Sequence, residues 1–448
     1  MGHSAAPREG QRLLAMAAVL AGAHAGMIAL APALVEQDSP GAPQIAAFVG
    51  LALLGGAAWF AAIGPLERLP PARVAVGAIF ILGAAMRLGW LATPLVLDTD
   101  ALRYLWDGAL VAHGIWPWGA PPGAGLPPGL GEAGSALHAI LPFAALRTIY
   151  PGTAQLAFLL AHWVAPWELL GLRVIMLAAE LATLGLLAAM LRRSGQPVMR
   201  VAVWWLCPLL PLVLTNAAHV DALLQPLLLG VLLATLSGRG WLAGALLGLA
   251  AGVKVWPLLL APLIARWLPP GARVAAAVAF VTVAAATLLP LATTLAAPDA
   301  GLSAFAVKWV VNNAPVSWIV ALLGRDAGQV LRPLLALAAG AVALAVAFRP
   351  PGGPVELVRA ALVVSAATFY LSPAQYPWYA VWFLPFAAML GCRALLLPAV
   401  LLPLYYLFFA LLSEPGHRAF FANGIAAVHV LGVLVMLIWS RRRREFRP

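Results

Sequence analysis

Charge is scarce in this 448-residue chain: 10% of its residues are Asp, Glu, Lys or Arg, while 63% are hydrophobic. A soluble domain carries about 25% charged and about 45–50% apolar residues, so an ordinary water-soluble fold is excluded. Lysine is rarest of all, with Lys254 and Lys308 alone. Cysteine is limited to Cys207 and Cys392, both in apolar surroundings, which excludes a disulfide framework and a cysteine-based zinc site. The net charge of +11 comes from basic residues scattered among apolar runs. They form no extended patch and no DNA- or RNA-binding motif, so no nucleic-acid partner is expected.

What the chain has in abundance is apolar length. Runs of about 20 residues, enough to cross a bilayer, recur throughout and leave no room for a separate soluble domain. The expectation is a single integral membrane domain over 1–448, all-α and polytopic. Segments 13–34, 44–63, 74–94, 168–190, 198–217, 220–236, 241–266, 273–295, 330–348, 356–371, 377–392, 394–412 and 420–440 predict a bundle of about 12–14 transmembrane segments. The first run follows Arg8 and Arg12 and ends in small residues, but its length favours a retained span over a cleavable signal. The halves of 241–266 flank "GVKVWP" and are each short for a span. They predict a broken hairpin with Lys254 near its tip, lining a cavity, because non-helical backbone at that depth is tolerated only against protein or water.

With the N-terminus inside, Arg8, Arg12, Arg68, Arg73, Arg192, Arg193, Arg200, Arg239, Arg266, Arg273, Arg349, Arg359, Arg393, Arg441 to Arg444 and Arg447 fall on the cytoplasmic side, 18 of the 27 basic residues. The positive-inside rule then puts both termini in the cytoplasm. Glu36, Asp38, Asp98, Asp100, Asp107, Glu132, Glu168, Asp221, Asp299, Asp326 and Glu414 fall outside. The chemistry is therefore expected to face the periplasm or exterior of a plasma (inner) membrane. Two long external loops, 95–167 and 296–329, are rich in Trp, Pro and Gly.

The first loop carries "LVLDTDALRYLWDGALVAHGIWPWGAPP". Asp100, Arg103, Tyr104 and Asp107 stand at i, i+3, i+4 and i+7, one face of a helix, beside an apolar stripe of Leu102, Leu105, Trp106 and Ala109. This predicts an amphipathic helix in the outer interface, started by Asp98 or Thr99 as cap and ended at Gly114. Arg147 and Tyr150 precede Pro151 in the same loop, and "NAAHVDALLQP" places His219 and Asp221 two apart at the mouth of later spans. A His-x-Asp pair is too few ligands for a typical metal site, so hydrogen bonding to a polar substrate group is expected of it. Lys254, if buried, needs an anionic partner such as a lipid phosphate. "FAVKWVVNNAPVSW" adds Lys308, Asn312 and Asn313, and "LSPAQYPWYAVWFLPF" adds Gln375, Tyr376, Trp378 and Tyr379. Arg87 and Glu180 lie inside spans, where a structural ion pair is the simplest expectation.

"TDALRYLWDGALVAHGIWPW" resembles the "RYxWDG…G…P" segment of GT-C glycosyltransferases that use polyprenyl-phosphate sugars, the polyprenol-phosphate-mannose-dependent mannosyltransferases in particular. "TIYPGTAQ" is similar to their "TIYPP", "WWLCPL…AAHVDALL" to their "NPL…H.D", and "AAGVKVWPLLLAPL" and "LSPAQYPWYAVWFLPF" to their "K..P" and "P…WY..W..PF" segments. Trp118, the "YPG" and Cys207 depart from those patterns. The resemblance implies a GT-C type bundle with outer-face amphipathic helices. It also implies transfer of a hexose, mannose favoured, from a polyprenyl-phosphate donor to an acceptor hydroxyl on a lipid or glycan, with inversion and Asp100 as general base. Arg103, Lys254 and His219 are the candidates to meet the donor phosphate, with Tyr104, Asp107, Arg147, Tyr150, Asp221 and Tyr379 as further substrate-side candidates. A monophosphate leaving group requires no metal, so none is expected as a cofactor. The competing class is a transporter or flippase of lipid-linked sugars, against which stand the absence of an inverted hydropathy repeat and the collection of polar residues in outer loops. A third class is a lipid-linked polysaccharide polymerase or ligase.

Overall fold

The computed structural model describes residues 5–35, 41–411 and 415–442; the sidedness expected of Glu36, Asp38, Glu414, Arg443, Arg444 and Arg447 lies outside the described residues. Among the described residues the chain is helical, with one isolated bridge between Val311 and Ala374 as its sole β feature. That is the expected answer of an apolar chain in lipid, where each backbone N–H and C=O must find its partner within the protein.

The helices follow as α1 (Ala5–Leu30), α2 (Ala42–Arg68), α3 (Arg73–Leu88), α4 (Asp100–Ala112), α5 (Gly131–Ala139), α6 (Gly152–Val164), α7 (Leu169–Arg193) and α8 (Arg200–Trp205). Then come α9 (Leu224–Leu236), α10 (Gly240–Ala251), α11 (Ala261–Trp267), α12 (Pro270–Ala292), α13 (Gly301–Lys308), α14 (Ala314–Leu323), α15 (Arg325–Ala347) and α16 (Pro354–Leu371), with shorter helical pieces to Arg442. Eight helical stretches among the described residues are long and apolar enough to cross a membrane. They are Glu9–Leu34, Ala42–Arg68, Leu169–Arg193, Pro270–Ala292, Asp326–Ala347, Pro354–Leu371, Arg393–Ala410 and Gly416–Ser440. The protein is a multi-pass membrane protein.

Eight is fewer than the 12–14 expected, and the difference has a physical cause. Segments 74–94, 198–217, 220–236, 241–266 and 377–392 are apolar but short or broken. Within 198–217, α8 stops at Trp205, Pro208 and Pro211 interrupt the ladder, and a π-helical turn takes over from Pro211 to Asn216. Within 377–392, a 3-10 turn at Pro377–Trp382 is followed by the helix Leu384–Leu390. Both stretches are buried in protein, where irregular backbone is tolerated at membrane depth. Hydropathy does not distinguish burial in protein from burial in lipid.

The broken hairpin is present. α10 rises to a tip at Lys254, and a 3-10 turn, Trp256–Leu260, returns through α11. It packs on α12 through Gly240, Gly244 and Gly248, four residues apart. A methyl group at Gly244 would collide with the backbone of Ala276. Such small-residue stripes let membrane helices meet backbone to backbone.

Inside the bundle, Arg87 of α3 and Glu180 of α7 are both fully buried and paired at 2.7 Å. Arg87 also donates to the carbonyls of Gly83 and Trp205, both at 2.9 Å, and its guanidinium lies 3.7 Å from the Trp205 ring centroid. Thr215 donates to the other Glu180 oxygen at 3.2 Å. The pair thus joins α3, α7 and the broken 198–217 segment. Elsewhere, Arg68 bonds Glu9 at 2.7 Å near the start of α1, whereas the Leu97 N–H bonds the Leu34 carbonyl at 3.1 Å beyond its far end. The functional residues gather at that far end.

Removing one partner of a buried pair strands the other charge. Glu180→Ala is expected to destabilise the protein by about 3–5 kcal/mol, whereas the double change Arg87→Met with Glu180→Leu recovers most of that loss. Thermal unfolding in detergent checks both.

Candidate active site

Between α3 and α4 the chain runs without regular structure, and two buried side chains clamp it. Asn216 donates to Thr93 Oγ1 (2.9 Å) and the Pro94 carbonyl (2.7 Å) and accepts from the Val96 N–H (3.1 Å). Arg173 donates to the carbonyls of Leu91 (2.8 Å) and Thr93 (2.7 Å) and twice to that of Asn216. Held this way, Leu97 takes a left-handed conformation (φ 49), and Ala218 does the same (φ 53). Strained non-glycine positions of this kind persist only where the surroundings over-determine them. Each immediately precedes one member of a contact pair: Asp98 Oδ2 lies 3.0 Å from His219 Nε2.

Asp98 also accepts the Asp100 N–H on Oδ1 at 2.9 Å, which starts α4, while the Thr99 side chain makes no capping bond. α4 ends at Ala112, followed by Gly114 in a left-handed conformation. On the other ring nitrogen of His219, Nδ1 lies 3.3 Å from the Tyr104 hydroxyl, which in turn lies 3.3 Å from that of Tyr150. Trp378 stacks on the imidazole at 3.8 Å between centroids.

The nearby cation is Lys254. Its ammonium pairs with Asp221 Oδ2 at 2.8 Å and lies 4.1 Å from the Tyr379 ring centroid, and Trp382 Nε1 donates to Asp221 Oδ1 at 2.6 Å. Arg103 spends its donors on the carbonyls of Phe143 and Leu146 at 3.2 Å, with no carboxylate in ion-pair contact among the described residues. Arg147 is a strut between the two long loops, bonding Asp299 at 2.7 Å and the carbonyls of Trp118 and Gly119. Asp107 accepts from Thr148 and Gln155, fastening α4 to α6; burial raises its carboxyl above the usual range, opposed by Arg103 and these two donors.

These elements enclose a cavity of about 530 Å³ whose wall includes Asp98, Asp100, Arg103, Arg147, Tyr150, Lys254 and Tyr379. Its lining is also aromatic, with Trp309, Tyr376, Trp378, Tyr405, Phe408 and Phe421. Asp98 and Asp100 are the two carboxylates on that wall, and they differ in kind. Both Asp98 oxygens are engaged, whereas the Asp100 carboxylate has no hydrogen-bond or ion-pair partner among the described residues. Burial first, then the neighbouring Asp98, pushes the Asp100 carboxyl up to about 6, with His219 and Lys254 opposing the rise.

Six of the ten residues nominated from sequence line the cavity: Asp100, Arg103, Lys254, Arg147, Tyr150 and Tyr379. Tyr104, Asp107, His219 and Asp221 stand behind its wall, bound to other protein groups, so the expected direct hydrogen bonds from His219 and Asp221 to substrate are replaced by support of Asp98 and Lys254. Asn312 and Asn313 knit the second loop to the chain near Ser372 by donating to the carbonyls of Gln375 and Ser372, while the Gln375 side chain donates to the Tyr370 carbonyl within that stretch. Sequence reasoning missed Arg173, Asn216 and the aromatic side from Tyr405 to Phe421; the "TN" directly ahead of "AAHVD" was the available signal for Asn216. Among the described residues no three His, Cys, Asp or Glu side chains gather as a metal site.

A carboxyl raised on folding favours the protonated fold, so Asp100 subtracts stability as pH climbs from its unfolded range, about 4, through about 6. Asp100→Asn is therefore expected to raise Tm above pH 6 and to leave it unchanged below about pH 4, as read by unfolding scans across that range.

A family model described as glycosyltransferase family 87 matches residues 148–373, half of the chain. The match takes in Tyr150, His219, Asp221 and Lys254 and begins after α4. A polyprenol-phosphate-mannose-dependent α-(1-2)-phosphatidylinositol pentamannoside mannosyltransferase of Mycolicibacterium smegmatis is 32% identical over 168 residues, covering 36% of this chain and 40% of the relative. The aligned region therefore spans less than half of that relative's length. No solved structure matches the chain. The helical membrane bundle and the extent of the family match lead to one assignment: the chain belongs to glycosyltransferase family 87.

Proposed function

We propose that this protein transfers a hexose, mannose favoured, from a polyprenyl-phosphate donor to a hydroxyl group of a glycolipid or glycan acceptor. The observation that carries the reading is the Asp100 carboxylate, on the wall of a polar and aromatic cavity and without a hydrogen-bond or ion-pair partner among the described residues. The relative's dependence on polyprenol-phosphate mannose supports the donor class.

A sugar linked to a lipid phosphate already has a good leaving group. The protein must align the acceptor, take its proton and meet the departing phosphate. Asp100 accepts the proton from the acceptor hydroxyl as that oxygen bonds to the anomeric carbon from the face opposite the phosphate. The bond from the anomeric carbon to the phosphate oxygen breaks, and polyprenyl phosphate leaves with the electron pair. The anomeric configuration inverts, so a β-linked donor gives an α-linked product. A base with its pKa near working pH balances being deprotonated against holding the proton, which suits a carboxyl at about 6. Arg103 is the natural partner for the phosphate, since no carboxylate is in ion-pair contact with it among the described residues. Lys254 also lines the cavity, with 18% of its side chain exposed. A metal is not needed in this scheme.

In this reading the site faces the periplasm or exterior. The cavity lies at the far end of α1 from Arg68, while the arginine-rich ends of α2 and α7 (Arg68, Arg192 and Arg193) would sit in the cytoplasm.

Transfer from a panel of polyprenyl-phosphate sugars by purified protein tests the proposal. Asp100→Asn is expected to lower kcat by about 10²–10⁴-fold. Arg103→Gln is expected to weaken donor binding by roughly tenfold or more. Full transfer by folded Asp100→Asn rules out the base; lipid crossing the bilayer with no sugar transferred favours the transporter class.

A further inference from the structure

The two carboxylates on the cavity wall are neighbours, yet the fold treats them oppositely. Asp98 has a donor on each oxygen: His219 Nε2 at 3.0 Å and the Asp100 N–H at 2.9 Å. The histidine is itself fixed. Its Nδ1 faces the Tyr104 hydroxyl at 3.3 Å, the ring is fully buried, and Trp378 covers one face at 3.8 Å. Since a carboxylate can only accept, the hydrogen bond to Asp98 is carried by the Nε2 proton of the ring. To take a proton from a substrate, Asp98 would have to surrender one of these bonds. Asp100, whose own N–H binds Asp98, gives up nothing.

We infer that Asp98 is a fixed anion whose charge sets the base strength of Asp100, and that His219 is the positioning residue that keeps that anion in place. A like charge held close in a poorly hydrated site disfavours ionisation of its neighbour, and Asp98 is the largest charged contributor to the raised Asp100 carboxyl, after burial itself. The charged groups that act on the pair from packed elements are Asp221 and Lys254, which compensate each other at 2.8 Å, and His219, which touches Asp98; Arg147, paired with Asp299, and Arg418 also line the cavity. Arg103 lies on α4 itself. The remaining titratable neighbours outside the spans, Tyr104, Tyr150, Tyr376 and Tyr379, are phenols that burial keeps in the neutral form. Of the two anions acting on the base, Asp98 and Asp221, Asp98 is the one with no lysine or arginine in ion-pair contact among the described residues. This inference rests on the reading of Asp100 as the base.

The test combines a pH profile with a stability cycle. In Asp98→Asn the acid limb of kcat/KM should move to lower pH, with a plateau lower by on the order of tenfold or less, short of the 10²–10⁴-fold that a lost base costs. Asp98→Glu, which keeps the charge, should leave the limb where it is even if alignment suffers. Independently of any transfer assay, the Tm gain given by Asp100→Asn at about pH 8 should be smaller in an Asp98→Asn background than in the wild type. An unmoved limb in Asp98→Asn, a limb lowered equally by Asp98→Glu, or an equal Tm gain in both backgrounds overturns the inference. If the wild type transfers no sugar, the functional reading fails while the stability cycle still decides whether Asp98 acts on Asp100.

Discussion

Where no water is available, a polar group must find its partner in the protein, and the organisation of this molecule follows from that constraint. Arg87 takes Glu180, Arg173 takes a row of carbonyls, Asp221 takes Lys254 and Trp382, and Asp107 takes Thr148 and Gln155. Against this background of completed pairs, a carboxylate without a partner is informative. The fold has satisfied nearly everything around Asp100 and kept that half-buried group open to the cavity, the arrangement that the proposed base requires.

Much of the plan was legible from sequence because charge in an apolar chain carries such a penalty. Asp100, Arg103, Tyr104 and Asp107 share a helical face by spacing alone, and Arg87 and Glu180 announced a pair because neither can remain alone in a span. The pairing of Asp98 with His219 was not legible, since 121 positions separate them and only the fold brings them together. Fewer of the expected spans are long unbroken helices, for a related reason. Pro208, Pro211, Pro377 and Pro385 break apolar stretches that hydropathy reads as continuous. The glycines of α10 were visible in the sequence at a spacing of four, and only the packing on α12 reveals their purpose.

The cations at the site are held by different means. Lys254 is neutralised by Asp221 and shielded by aromatic faces, whereas Arg103 is anchored by carbonyl dipoles that orient it without cancelling its charge. Of these two, an anion entering the cavity meets one charge without an ion-pair partner among the described residues and one already shared, and the former stands on α4, the helix that also carries the proposed base.

The glycine stripe of α10 has a consequence for depth. Because Gly244 and Gly248 rest against the backbone and close side chains of α12, the hairpin cannot slide by part of a turn without driving side chains into a neighbouring main chain. At the tip, the Gly252 carbonyl receives the Ala154 N–H at 3.1 Å, and a methyl group there would lie 2.6 Å from Thr287 Cβ. The height of Lys254 in the bilayer is thus gauged by rigid backbone instead of by its flexible side chain. A lipid headgroup reaching the cavity would find that charge at a preset level, like a rung on a ladder.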